Sequence, residues 1–304
     1  MAKKWKKKKK SRMQKFTIKD FIKMFPDDDT CLEYIRNKRY PERIECPSCE
    51  KKAKFHKVSK RKQYACDYCG YQIAPTAGTV FHKSSTSLTT WFYVIYQMAQ
   101  TRGGISAKQI ERETGVTYKT AWRMCKKVRE SLEEDYSLFM GEVEIDESYF
   151  GGKNTGGGKG HGLDNKTPVI GIVQRKGKLE ARAVKEADGG TILPMVQQNV
   201  VHGSTIYTDE YKVYDALPVM GYRHGRVPHA KKIYVRGRIH TNTIEGFWSN
   251  CKNGIRGVYH AVSAKYLQNY LNEYSFRYNH RDDYKPMFFT FLNQTIFSSY
   301  PRSS

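Results

Sequence analysis

The chain has 304 residues, 39% of them hydrophobic and 13% aromatic, which suffices for a sizeable core and two or three domains and excludes a disordered polymer. Its formal net charge of +23 suits a polyanion partner, either nucleic acid or an anionic membrane face. No apolar run approaches the roughly 20 residues of a membrane span and no secretory h-region follows the basic N-terminus, so nucleic acid is the favoured partner.

The N-terminal MAKKWKKKKK carries seven Lys in ten positions and reads as a solvated tail, residues 1–15, that adds sequence-blind affinity for DNA. Residues 16–43 form a helical segment with two short apolar-periodic pieces, the second capped by Asp29 or Thr30. Seven Cys is an odd count, and four of them form two CxxC pairs, a pattern of metal binding in a reducing compartment. Cys46-x2-Cys49 and Cys66-x2-Cys69 stand 16 residues apart, as two knuckles offering four thiolates to one structural Zn²⁺. The stretch between them alternates as a β-hairpin, and residues 44–75 read as a zinc ribbon. Five Lys or Arg of that hairpin suit DNA contact, with a protein partner as the alternative. Cys31 falls outside the pairs and reads as core.

Residues 86–135 read as a helix-turn-helix. TSLTTWFYVIYQMAQ is an apolar-rich helix broken at Gly103-Gly104. Ser106 caps the next helix, with Gln109 three residues on as in a capping box. Gly115 makes the turn and Thr117 opens a second helix with Ala121, Trp122, Cys125 and Val128 on one face. Tyr118, Lys119, Arg123, Lys126 and Lys127 lie on the other, as a recognition helix requires. Three-helix bundles without DNA function share the pattern, and the net charge decides for DNA.

In residues 141–304, GEVEIDESYFGG alternates Val143 and Ile145 against Glu144 and Asp146, as a strand does. The Gly- and Lys-rich run that follows reads as a hairpin tip. TPVIGIVQRKGKLEARAV reads as two strands turning at Lys176-Gly177, GTILPMVQQNV as a helix, and STIYTDEYKVYDAL as a strand ending at Asp209 and running into a helix. From Ala216 to Asn272 Glu245 is the only carboxylate among nine Lys or Arg and four His. Glu245 lies in a helix capped by Thr241 or Asn242. Lys252, seven residues on, shares its face, flanked by Asn242 and Ser249. Asn242, Lys252 and Arg256 are candidate DNA contacts. AKYLQNYLNEYSFRYNHR reads as an amphipathic helix packing on the sheet.

Phosphodiester chemistry by two Mg²⁺ ions needs oxygen ligands holding ions about 4 Å apart. Carboxylates from neighbouring strand ends converge naturally, and a third from a packed helix closes such a site. Asp146, Asp209 and Glu245 are placed to do this, with 35 residues between the last two. Asp146 competes with Glu144, while period-two alternation excludes Glu147; Asp209 competes with Glu210. His224, His229, His240 and His260 read as phosphate contacts or core, and Trp248 as core, with stacking on a flipped base as its alternative.

The strings EIDESYFGGK, IYTDEYKVY and HTNTIEGFWSNCKNGIRGVYH, together with that spacing, resemble the DDE transposases of bacterial insertion sequences. Within these, the chain is similar to the ISXO-like class with an N-terminal zinc ribbon, over most of its length. The resemblance implies an α/β fold: a ribonuclease H-like catalytic domain with a mixed five-stranded sheet and flanking helices, preceded by the ribbon and the helix-turn-helix. It implies that Asp146, Asp209 and Glu245 hold two Mg²⁺ or Mn²⁺ ions, with Lys252 as their companion. It implies Mg-dependent strand cleavage at terminal inverted repeats and transfer of the 3′-hydroxyl into target DNA, by a homo-oligomer of at least two protomers in the bacterial cytoplasm, at the nucleoid, with no membrane role. A DNA-binding regulator with a non-catalytic core is the alternative reading.

Overall fold

The computed structural model describes residues 14–134, 138–151, 166–227 and 240–298. Most of the basic tail, the Gly- and Lys-rich run and His229 lie outside these. The described residues divide into two compact units, one holding the chain up to Thr101, Ile105–Leu132 and the chain from Asp282 on, the other Arg102–Gly104 and Glu133–Arg281.

In the first unit, α1 (Ile18–Met24) starts at a full capping box between Thr17 and Asp20. The second helix, α2 (Asp28–Arg39), is capped by Asp27, whose carboxylate accepts from Thr30 N. The cap thus falls earlier than Asp29 or Thr30. Asp28 instead reaches the start of α3 (Leu88–Gln100), accepting from the amide and hydroxyl of Thr89 at 2.9 and 3.0 Å. Helix α3 is buried along most of its length, from Leu88 and Trp91 to Met98 and Ala99. Its Phe92 packs edge-on to Phe25 at 4.9 Å. Helix α9 (Met287–Phe297) packs on α2 and α3 in this same unit, so the expected 141–304 domain divides near Arg281.

The ribbon is a four-stranded antiparallel sheet, β1 (Arg43–Glu45), β2 (Lys52–Lys57), β3 (Tyr64–Cys66) and β4 (Gln72–Ile73). Three of its expected DNA-facing lysines are engaged with acids: Lys54 with Glu42, Lys57 with Asp29 and Lys62 with Asp28. Lys60 and Arg61, at the hairpin tip, are exposed.

Helix α4 (Ala107–Thr114) and helix α5 (Tyr118–Ser131) are joined by three residues, with Gly115 in the left-handed region at φ 72°. Ser106 accepts from Gln109 N, but the Gln109 side chain turns to Glu113, so half of the expected box forms. On α5, Ala121, Met124, Cys125 and Val128 are buried. Tyr118, Lys119 and Arg123 are exposed, Lys126 pairs with Glu130, and Lys127 is half-buried.

The second unit is built on a five-stranded sheet of β5 (Glu142–Gly151), β6 (Lys166–Gln174), β7 (Leu179–Ala183), β8 (Thr205–Thr208) and β9 (Arg223–Arg226), ordered β7-β6-β5-β8-β9. The first three strands form an antiparallel meander, and β8 and β9 add in parallel to β5. This order and these directions make it a ribonuclease H-like sheet. The edge strand β9, sequence RHGR, carries no hydrophobic periodicity and escapes pattern reading. Helix α6 (Gly189–Asn199) and a 3₁₀ helix (Lys212–Ala216), at the place where a helix was expected after Asp209, cover one face over Val143, Ile145, Ile170 and Ile172. Helices α7 (Asn242–Gly254) and α8 (Ala264–Asn279) cover the other, with Phe247, Trp248, Leu267 and Leu271 over Val169 and Val173.

Candidate active site

Strand β8 stops at Thr208, and its pairing with β5 ends at Glu144↔Tyr207. Beyond that register β5 has a free edge among the described residues, and the chain leaving β8 delivers Asp209 beside it. Asp209 is fixed by an Asx-type turn, its Oδ1 accepting from Tyr211 N at 2.9 Å. Neighbouring Glu210 is exposed. One carboxylate oxygen each of Asp146, Glu147 and Asp209 falls in a cluster with all separations within 4.8 Å.

Glu147 is thus part of the constellation from which alternation had excluded it. Its side chain does leave the opposite face of β5, where the Tyr214 hydroxyl donates to it in a short hydrogen bond. Alternation separates residues across a sheet, but at an unpaired edge side chains from both faces reach round to the same point. Glu144, the competitor of Asp146, is fully buried and otherwise engaged. It accepts from Arg175 Nε at 2.7 Å and from the amides of Thr243 and Ile244 at 2.9 and 3.1 Å. It therefore caps α7 from the sheet, a role expected of Thr241 or Asn242. Thr241 holds the N-cap position without a side-chain cap bond.

Glu245 sits in the first turn of α7 and accepts from Thr241 Oγ1 at 2.7 Å. Its carboxylate stands outside the close cluster of three but near enough to add its charge to those acting on Asp146. Trp248, one turn on, is core and more: its Nε1–H donates to Asp146 Oδ2 at 3.0 Å. Gly171 lies directly across from Asp146 in the β5–β6 register, and the Trp248 ring occupies the space that a side chain there would need. The lone Gly inside the run TPVIGIVQ was the one signal in the sequence for this close approach.

The electrostatics follow from crowding acids in a half-buried corner. Burial, then the charge of Asp209, pushes Asp146 up to about 6, against the Trp248 N–H that favours the anion. Burial likewise raises Glu147 to about 7, with Asp146 and Asp209 adding repulsion and the Tyr214 hydrogen bond opposing. Lys252 is held below the usual lysine range by burial and the neighbouring Arg256, while Asp146 counteracts. Asn242 and Arg256 are exposed. His224 is lowered by burial and shares a 2.8 Å hydrogen bond with Thr208 Oγ1.

The expected zinc site fits its ion, whereas the acids gathered beside β5 are Asp146, Glu147 and Asp209, with Glu245, the expected third ligand, outside the close cluster. Hard oxygen donors converging under mutual repulsion suit Mg²⁺ or Mn²⁺. In the ribbon the four sulfurs of Cys46, Cys49, Cys66 and Cys69 lie within 4.8 Å of one another. Cys46–Cys69 and Cys49–Cys66 separations are 3.6 and 3.9 Å, against about 3.8 Å for a tetrahedron with Zn–S bonds of about 2.3 Å.

A ribonuclease H-like sheet gathers carboxylates beside its central strand in a chain that also carries a ribbon of two CxxC knuckles, and the family matches give the class, a transposase. Residues 139–279 match the family model of the ISXO2-like transposase domain, and residues 26–72 that of the transposase zinc-ribbon domain. The chain thus carries an ISXO2-like transposase domain and a transposase zinc-ribbon domain. An uncharacterized protein in transposable element ISH50 of Halobacterium salinarum is 27% identical over 274 residues, 84% of this chain and 92% of the relative. An uncharacterized transposase-like protein of Haemophilus influenzae is 26% identical over 107 residues, 35% of this chain and 85% of its own length. A chain from the cryo-EM structure of the simian T-cell lymphotropic virus intasome in complex with PP2A regulatory subunit B56 gamma aligns at 13% identity and TM-score 0.30, over 61% of this chain and 65% of that one. Among the described residues no helix is long and apolar enough to cross a membrane.

Proposed function

We propose that the chain cuts DNA at element ends and joins the freed 3′-hydroxyl to target DNA, with Asp146, Asp209 and Glu245 holding two divalent ions. One observation carries this reading: the carboxylates of Asp146, Glu147 and Asp209 converge at the free edge of β5 with α7 and its Glu245 packed alongside. Bound ions there would ready water or a 3′-hydroxyl and stabilise the departing oxygen.

The chain's own residues do the rest. Trp248 aims Asp146, and the Asx turn aims Asp209. Glu144 ties the start of α7 to β5, fixing the height of Glu245 above Asp146. Glu147 adds a fourth carboxylate and holds it toward Asp209 by its bond to Tyr214. Lys252, two turns beyond Glu245, offers an ammonium to a backbone phosphate. Tyr118, Lys119 and Arg123 on α5, with Lys126 and Lys127 behind them, present a cationic face to a major groove. Two ends must be joined together, so the working unit is at least a dimer on double-stranded DNA.

The test is nicking of an oligonucleotide bearing an element end, with Mg²⁺ or Mn²⁺. Cleavage abolished by Asp209→Asn, and joining of the processed end to target DNA, are the expected results. Tight binding with no cleavage by the intact chain would favour the regulator instead.

A further inference from the structure

A cavity of about 410 Å³ opens beside the candidate active site, wholly within the sheet-bearing unit. Its apolar lining comes from Phe150 at the end of β5, Ile255 just past α7, and Val262. Its cations are Lys166, Lys252 and Arg256, with exposed His260 beside them. Lys252 Nζ stands 5.7 Å from the Phe150 ring centroid, so ammonium and aromatic surface meet in one wall. Glu147, next to Asp146 in β5 and clustered with Asp146 and Asp209, also lines it.

We infer that this cavity receives one unpaired nucleotide of the DNA strand next to the phosphate under attack. The inference rests on the transposase reading and adds what that reading leaves open, namely that the strand end must be opened to engage the site. Three features point to it. The cations at the wall suit a phosphate. Apolar and aromatic surface between them suits the flat face of a base and is wasted on backbone contacts alone. The size decides the pairing state: a single nucleotide fits, whereas a duplex, with grooves alone about 12 Å wide, does not enter. Glu147, which lines the cavity and clusters with Asp146 and Asp209, sets the place of that nucleotide along the strand. Unpairing a base costs least where the duplex is already frayed or mismatched, so the site selects opened ends.

The experiment uses the full chain and two duplexes of one sequence, one fully paired and one with a mismatched terminal pair, each carrying 2-aminopurine at the terminal position. Binding is measured by anisotropy with Ca²⁺ in place of Mg²⁺. The expected result is a preference for the mismatched end of about tenfold, the scale of one base stacked on apolar surface, with a change in 2-aminopurine emission on binding. Val262→Trp, which fills the cavity, should abolish both the preference and the emission change; Arg256→Ala, at an exposed position that tolerates substitution, should weaken the preference. Equal affinity of the intact chain for both duplexes, or a preference that survives Val262→Trp, would overturn the inference. Failure to bind either duplex would instead count against the transposase reading on which it stands.

Discussion

The acids at the free edge of β5 set the first expectation at the scale of single residues. Unfolded carboxyls titrate near 4, while Asp146 is raised to about 6 and Glu147 to about 7. Between those limits the folded chain binds more protons than the unfolded one. The stability these groups contribute is therefore fully present below about pH 4 and lost as pH rises toward about 7. A divalent ion demands the ionised forms, so its stabilising effect runs the other way and grows over the same interval. Melting temperatures with and without Mg²⁺, taken from about pH 5 to about pH 8, should show a metal-induced rise that increases with pH. A rise of constant size would mean that these carboxyls are not the ligands. The same residues show what the sequence disclosed. The charge pattern exposed Glu245, and the strand end exposed Asp209 with Glu210 as its rival. The place of Glu147 depends on where β8 stops pairing with β5, and no local pattern records that.

At the scale of elements, legibility followed the kind of signal involved. Helices α4 and α5 announce themselves by Ser106, Gly115 and Thr117, because caps and left-handed turns are decided within four residues. Strand β9 does not, since RHGR has no hydrophobic alternation and lies at the sheet edge, held to β8 by backbone pairing and the His224–Thr208 hydrogen bond. Helix α7 shows both cases: its extent was legible, but its cap is a carboxylate 99 residues away in β5. Its closeness to the sheet depends on Gly171. An alanine Cβ at that position would lie 2.5 Å from Trp248 Cζ2 and 2.7 Å from Ile244 Cδ1, both rigid and buried. Gly171→Ala should therefore cost about 1–3 kcal/mol, the usual penalty for overpacking, and pull the indole off Asp146. Denaturant midpoints together with Mg²⁺ titrations check this. A stable variant with unaltered metal affinity would show that α7 adapts without disturbing the site.

At the scale of the whole molecule, the net charge of +23 is a sum over cations doing different work. On the ribbon, Lys54, Lys57 and Lys62 are engaged with acids of the chain itself and so are not the cations that neutralise phosphates. On α5, Lys119 and Arg123 are exposed on the face away from the core. Each cation that neutralises a phosphate adds about 0.9 to the steepness with which log K falls against log salt. The double substitution Lys119→Ala, Arg123→Ala should thus make that slope shallower by roughly two, whereas Lys57→Ala should leave it nearly unaltered. Anisotropy titrations of an end-bearing duplex between about 50 and about 200 mM salt give both slopes. An unchanged slope in the double variant would remove α5 from the DNA interface and leave the surplus charge to Lys60, Arg61 and the cations around Lys252. A uniform loss across unrelated sequences would assign α5 to backbone grip, and a loss confined to the element end would assign it to base readout.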